Sequence, residues 1–74
     1  MAKLPRISGR DAIKRLQKLG YQQVRQRDSH IRLIHPTNPI RKPITIPDHK
    51  ELGSGLLRKV LRDARITREK FLEL

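Results

Sequence analysis

One short segment of the sequence combines a residue that can transfer protons with residues that bind anions. Residues 25–32 read RQRDSHIR, which places His30 among Arg25, Arg27 and Arg32. An imidazole exchanges a proton near neutral pH, and guanidinium groups bind phosphate oxygens. The combination suits acid–base chemistry on a negatively charged polymer. A lone exposed histidine is more often inert than catalytic, so this pattern alone leaves the role of His30 open.

The rest of the sequence offers little for other kinds of catalytic site. His30, His35 and His49 are spaced unlike compact zinc motifs, and there is no cysteine to complete one. The acidic residues are scattered, whereas a two-metal nuclease needs clustered carboxylates. Gly53-Ser54-Gly55 lacks the lysine and the spacing of a phosphate-binding loop. We therefore expect no metal site and no cofactor.

The charge balance points to an anionic partner. The chain has 74 residues, enough for one small domain spanning residues 1–74. Eighteen Lys and Arg residues against seven Asp and Glu residues give a net charge of +11. A field of this strength favours nucleic acid, an anionic membrane surface or an acidic protein. Excess charge that serves only solubility is the alternative.

Targeting and membrane signals are missing from the sequence. The opening residues MAKLPRISGR contain no apolar core of a signal peptide, and no stretch approaches the length of a membrane span. The lack of cysteine excludes disulfides and fits a reducing compartment. We expect a cytoplasmic protein with no membrane association.

Three helices are predicted from their caps and apolar spacing. Ser8 and Asp11 have the spacing of a capping box, and Gly20 marks the end of the first helix. Gly53 precedes the second helix, and Thr67 caps a short third one. The apolar positions that recur at helical spacing are Ala12, Ile13, Leu16 and Leu19 in the first helix, and Leu56, Leu57, Val60, Leu61 and Ala64 in the second.

A stripe of cations is expected along the first helix. Arg10, Lys14 and Lys18 lie four residues apart and so share a face, with Arg15 beside them. Like charges at this spacing weaken a helix by a few tenths of a kcal/mol per pair. The stripe is therefore a candidate for contacting phosphates, although an ordinary solvated helix face explains it equally well.

Alternation of apolar and polar residues predicts three strands, over residues 21–27, 30–35 and 42–47. Asp28-Ser29 forms the turn between the first two strands, and Val24 is the clearest inward residue of the first. The prolines at 43 and 47 suit the ends of an edge strand.

Strand parity separates the residues of the second strand into two faces. Ile31 and Leu33 face the core, so His30 and Arg32 stand on the open face. His35 has the opposite parity to His30 and is predicted to be structural. The element order gives an α+β fold with two layers, in which the helices cover one face of a three-stranded antiparallel sheet.

Taken together, these features make the chain resemble the HicA family of small toxin ribonucleases from bacterial type II toxin–antitoxin systems. The resemblance covers nearly the whole chain. It rests on Leu19-Gly20-Tyr21, on Arg25-Gln26 followed by Asp28-Ser29-His30, on His35-Pro36, on Ile44-Thr45-Ile46-Pro47 with His49, on Glu51-Leu52 running into Leu56-Leu57-Arg58-Lys59-Val60-Leu61, and on the closing Ile66-Thr67-Arg68-Glu69-Lys70-Phe71-Leu72.

The resemblance implies a fold like the double-stranded-RNA-binding domain, with the order α-β-β-β-α. It implies a metal-independent endoribonuclease that cleaves mRNA, with His30 at the position of the family's catalytic histidine. It also implies a cognate HicB-like antitoxin that inhibits the toxin, and a monomer when the antitoxin is absent. Asp28 departs from the family's usual Gly-Ser-His motif, and Ser54-Gly55 stands where the family usually has Pro-Gly.

Within this interpretation, Arg25, Arg27 and Arg32 are candidates to bind RNA phosphates by charge and position. Two other classes of function fit the same residues. One is a basic RNA-binding module without catalysis, and the other is a structural partner of an acidic protein. Cleavage of RNA without divalent ions would separate the ribonuclease from both.

Overall fold

A computed structural model of the chain describes residues 6–74 and confirms the predicted α+β class. The elements are α1 (Gly9–Leu19), β1 (Gln22–Arg27), β2 (His30–Ile34), β3 (Ile44–Pro47), α2 (Ser54–Ala64) and α3 (Arg68–Leu72). The strands form one antiparallel sheet in the order β1-β2-β3. Residues 1–5 of the predicted domain, which belong to the N-terminal segment without an apolar signal-peptide core, lie outside the described residues.

Each strand is slightly shorter than its alternation predicted. β1 begins at Gln22 and β2 ends at Ile34, because Tyr21 and His35 contact the end of α1 and the core. β3 begins at Ile44, since Pro43 has no N–H group to donate to a ladder. β3 lies at an edge of the sheet, as the prolines indicated.

The helix ends follow the predicted capping residues. The Ser8 hydroxyl accepts a hydrogen bond from the backbone N–H of Asp11 at 3.0 Å, and the Thr67 hydroxyl accepts one from that of Lys70 at 3.2 Å. Gly20 ends α1 with a φ of 114°, a conformation that glycine adopts without steric cost. These local signals place the helices correctly because a cap depends only on neighbouring residues.

The core lies between the helices and one face of the sheet. Ile31 and Leu33 are buried while His30 and Arg32 are exposed, which confirms the predicted parity of β2. The buried core residues are Ile7, Ala12, Ile13, Leu16, Tyr21, Ile31, Leu33, Ile44, Ile46, Leu52, Leu57, Val60, Ala64 and Phe71. The opposite face of the sheet is therefore left open by the elements that the structure describes.

Tyr21 and His35 connect the end of α1 to the sheet. The Tyr21 hydroxyl donates a hydrogen bond to the Lys42 carbonyl at 2.8 Å, and its burial raises the pKa of Tyr21. The His35 ring meets the Tyr21 ring edge-on, with 5.1 Å between centroids. His35 Nε2 lies 3.0 Å from the Leu19 carbonyl oxygen, which can only accept, so this nitrogen donates. These contacts agree with the structural role predicted for His35.

Arg15 contacts α3. The sequence predicted it beside the cation stripe of α1, but its side chain is turned away from that stripe. Its Nε lies 3.1 Å from an Asp11 carboxylate oxygen, and its Nη1 donates to the carbonyls of Phe71 and Leu72 at 3.2 and 2.8 Å. Carbonyls at the end of a helix lack partners within the helix, and a cation there is favourable. Arg15 therefore attaches the C-terminal helix to α1.

The prediction that Val24 points inward is wrong, because β1 contains a bulge. The register pairs Gln23 with Leu33 and Arg25 with Arg32, which leaves Val24 as the extra residue. Val24 is 52% exposed. In a regular hairpin with the same turn, Val24 would oppose Leu33 and face the core, as alternation predicted. Because of the bulge, Gln23 lies opposite Leu33 in place of Val24.

The bulge makes Val24 a residue that the fold can change or lose. We expect Val24→Thr to move the free energy of unfolding by no more than about 0.5 kcal/mol, since the side chain is exposed. Deleting Val24 leaves Gln23 opposite Leu33 and Arg25 opposite Arg32 as neighbours in a regular strand, so neither the core face nor the open face changes. We expect that deletion to cost no more than about 1 kcal/mol. Urea unfolding of both variants measures this, and a loss of about 3 kcal/mol or more on deletion, as for a large core side chain, would contradict the assignment of Val24 as the extra residue.

Candidate active site

The hairpin register assembles the predicted site residues on the open face of the sheet. Arg27 is directly opposite His30, and Arg25 is directly opposite Arg32. Cross-strand partners share a face, with Cβ atoms about 4.5–5.5 Å apart. All four side chains are exposed. The structure thus brings together the histidine and the three arginines that the sequence placed in one segment; we call these four residues the open-face cluster.

Among the described residues, the arginines of the open-face cluster have no acidic ion-pair partner. Within residues 6–74, no carboxylate lies at ion-pairing distance from Arg25, Arg27 or Arg32. Like charges directly opposite one another destabilise a sheet, so the Arg25–Arg32 pair disfavours the folded state unless an anion lies between them. Such an arrangement is suited to binding a negatively charged group.

Thr45 on β3 extends the open-face cluster, and sequence reasoning missed it. It is the cross-strand partner of Arg32, and its hydroxyl accepts a hydrogen bond from Arg32 Nη1 at 3.2 Å. The parity of β3 contained the signal, since Ile44 and Ile46 face the core and the residue between them must face the other way. Thr45 orients one guanidinium of the cluster.

The turn that precedes His30 is fastened to the end of β3. The Ser29 carbonyl accepts a hydrogen bond from the Asp48 N–H at 2.6 Å, and His30 is paired with Pro47. Asp28 has a φ of 56°, in the left-handed region that favours glycine. The turn is therefore held in one conformation, with some backbone strain at Asp28.

The cation stripe of α1 lies on the other side of the sheet from the open-face cluster. Arg10, Lys14 and Lys18 are exposed on the helix that covers the core face, so they do not join His30. Arg10 forms an ion pair with Asp48 at 3.0 Å. The predicted site residues thus form two separate basic surfaces, and only one of them contains a histidine.

His49 stands apart from the sheet in the loop before α2. It is exposed, and its carbonyl accepts a hydrogen bond from the Gly9 N–H at 2.9 Å. Across residues 6–74, the His, Asp and Glu side chains form no cluster of three that could bind a metal ion. Nor does any helix in that range have the length and apolar character needed to cross a membrane.

The fold and the open-face cluster define a small α+β domain with a cationic, histidine-bearing sheet face. Residues 9–66 match the model of the family described as the HicA toxin of bacterial toxin–antitoxin. The chain therefore belongs to the HicA toxin family. Membership supports a nuclease activity in general terms and a cognate antitoxin as partner. No curated protein matched the sequence in a separate comparison.

The backbone strain at Asp28 predicts an order of stability at this position. We expect Asp28→Gly to match or exceed the parent, with a gain of up to about 1 kcal/mol, and Asp28→Ala to lose about 1 kcal/mol. Ser29 lies outside the left-handed region, so Ser29→Gly gains nothing from the freedom of glycine. Thermal unfolding of the three variants gives the order. A more stable Asp28→Ala than Asp28→Gly would rule out strain at this turn.

Proposed function

We propose that the chain is a metal-independent endoribonuclease that cleaves mRNA at the open-face cluster, with His30 as its catalytic acid or base. The observation that supports this most is the pairing of His30 with Arg27 beside an opposed pair of unneutralised arginines. Family membership gives a nuclease in general; the substrate, the site and the role of His30 are our proposal.

The chemistry uses a nucleophile that RNA itself carries. The ribose 2′-hydroxyl attacks the adjacent phosphorus, a new P–O bond forms to the 2′ oxygen, and the bond to the 5′ oxygen breaks. His30 accepts the proton of the 2′-hydroxyl while water protonates the leaving 5′ oxygen, or in its protonated form it protonates the 5′ oxygen while water accepts the proton of the 2′-hydroxyl. Arg25, Arg27 and Arg32 stabilise the negative charge that builds on the phosphate oxygens.

The basic charge of the protein is complementary to an acidic antitoxin. A chain with a net charge of +11 attracts an acidic partner by electrostatic complementarity. We propose that the cognate antitoxin inhibits cleavage by covering His30, and that the toxin is a monomer without it.

One observation favours a second function, an RNA-binding module without catalysis. Lys14 and Lys18 are exposed on α1, away from His30, and form no ion pair among the described residues. They can bind phosphates without any part in cleavage. The two functions differ in whether RNA is cut, which the next experiment decides.

Replacing His30 tests its part in the chemical step. His30 is exposed, so we expect His30→Ala to melt close to the parent, within about 0.5 kcal/mol. Loss of a general acid or base slows cleavage by roughly 10²–10⁴-fold. The measurement is cleavage of a defined RNA by parent and variant with EDTA present. Parent-like cleavage by His30→Ala, or loss of cleavage by the parent in EDTA, would refute the proposal.

His35→Ala provides the matched control for that experiment. It leaves the Leu19 carbonyl without its donor and removes the contact with the Tyr21 ring. We expect a loss of about 1–3 kcal/mol in stability while the folded fraction keeps most of its activity. Melting curves measured beside the cleavage assay distinguish a catalytic role of His30 from a structural role of His35.

The salt dependence of RNA binding tests how many phosphates the protein contacts. If the three arginines of the open-face cluster each meet one phosphate of single-stranded RNA, the logarithm of the affinity should fall with log salt at a slope of about −2. Arg25→Ala should reduce that slope by about 0.7. Lys14→Ala serves as the control from the other basic surface. A slope near zero would mean that the arginines do not bind phosphate.

A further inference from the structure

We infer that the free edge of β1 is the docking site for an extended acidic segment of the antitoxin, which adds a fourth strand to the sheet. The inference rests on the proposed function, because the partner it names is the inhibitor of the same site. It adds the place and the geometry of that contact, which neither family membership nor the open-face cluster supplies.

No strand among residues 6–74 pairs with the outer edge of β1. β1 is the first strand in the order β1-β2-β3, so its only strand neighbour in the described sheet is β2. All six of its residues, Gln22–Arg27, are exposed. An exposed strand edge presents backbone N–H and C=O groups that a strand from another chain can pair with.

The register identifies Gln26 as the residue whose backbone groups point outward. Arg27 and His30 flank a two-residue turn, and residues in that position bond to each other through their backbones. Bonded and non-bonded pairs alternate along an antiparallel ladder, so the N–H and C=O of Gln26 face away from β2. A docking strand would bond to these groups.

Cations flank this edge on both faces of the sheet. Arg25 and Arg27 lie on the open face. On the helix face, Arg10 and Lys14 lie across a groove of about 220 Å³ that Gln23 and Gln26 also line. Side chains of an added strand alternate between these two faces. An acidic side chain of the added strand therefore lies near a cation on either face of the sheet. This favours a negatively charged segment.

A second copy of this chain fits the same edge poorly. Pairing two β1 strands antiparallel through the outward groups of Gln26 sets Arg25 of each copy opposite Arg27 of the other. Like charges directly opposite are destabilising, and the bulge at Val24 further interrupts regular pairing. The charge of the edge thus favours a different, acidic chain.

Docking at this edge explains how an antitoxin inhibits without filling a pocket. Carboxylates of the added strand on the open face lie beside Arg25 and Arg27 and compete with RNA phosphate for them. His30 lies on β2, one strand further from the docked segment and directly opposite Arg27, where the rest of the antitoxin would cover it. The added strand thereby occupies Arg25 and Arg27, so they no longer bind RNA phosphate.

The test compares two substitutions at Gln26 in the full chain. Gln26→Pro removes the outward N–H, and Gln26→Ala keeps it; both remove the side-chain hydrogen bond from Nε2 to the Asp28 carbonyl. The probe is the antitoxin encoded in the reading frame beside that of this chain, titrated by calorimetry. We expect Gln26→Pro to bind about tenfold more weakly than Gln26→Ala, with RNA cleavage unchanged. Equal affinities would overturn the inference.

A second measurement tests the inference on the parent chain, in case Gln26→Pro does not fold. Hydrogen exchange of the parent chain, free and in the complex, should show the Gln26 amide slowed at least about tenfold on binding. An unchanged Gln26 amide would overturn strand addition. So would a homodimer of the free chain that Gln26→Pro dissociates, because a second copy would then occupy the edge. Binding is measured without RNA, so these results are independent of the cleavage test.

Discussion

The arrangement of this protein depends on a bulge in β1 that accommodates one extra residue, Val24. Tyr21, Arg25 and Arg27 are all odd-numbered, so a regular strand would turn them to the same face of the sheet. The protein needs Tyr21 in the core and the arginines outside it. The bulge at Val24 reverses the parity between them, so Tyr21 is buried while Arg25 and Arg27 stand beside Arg32 and His30. Core and candidate site can then share a single strand.

The rest of the fold fixes both ends of that strand. At one end, Tyr21 bonds to the Lys42 carbonyl and contacts His35, whose ring bonds to the end of α1. Gly20 leaves room for that ring, since a Cβ there would lie 2.6 Å from His35 Nε2. At the other end, Ser29 bonds to Asp48. Core contacts thus set the register that places the arginines, and a loss of register would disperse the open-face cluster.

Local patterns predicted the parts of the structure that depend on neighbouring residues. Ser8, Gly20 and Thr67 marked the helix ends, and the alternation around Ile31 placed His30 on the open face. The sequence did not reveal the bulge, because nothing near Val24 marks it and its cause is the burial of Tyr21. The predicted layer order already implied that Arg10, Lys14 and Lys18 lie on the far side of the sheet from His30. The sequence did not show that Arg15 contacts α3, because that placement follows from packing between distant elements.

The central claim is that the open-face cluster cleaves RNA by activating the 2′-hydroxyl. It is tested most directly with two RNAs of one sequence, one with ordinary ribose and one with every 2′ oxygen methylated, each incubated with the parent chain in EDTA. Both present the same phosphates, so both should bind. We predict cleavage of the ribose form, with a free 5′-hydroxyl on the downstream product, and none of the methylated form. Cleavage of the methylated RNA at a comparable rate would contradict the mechanism and the role of His30 in it.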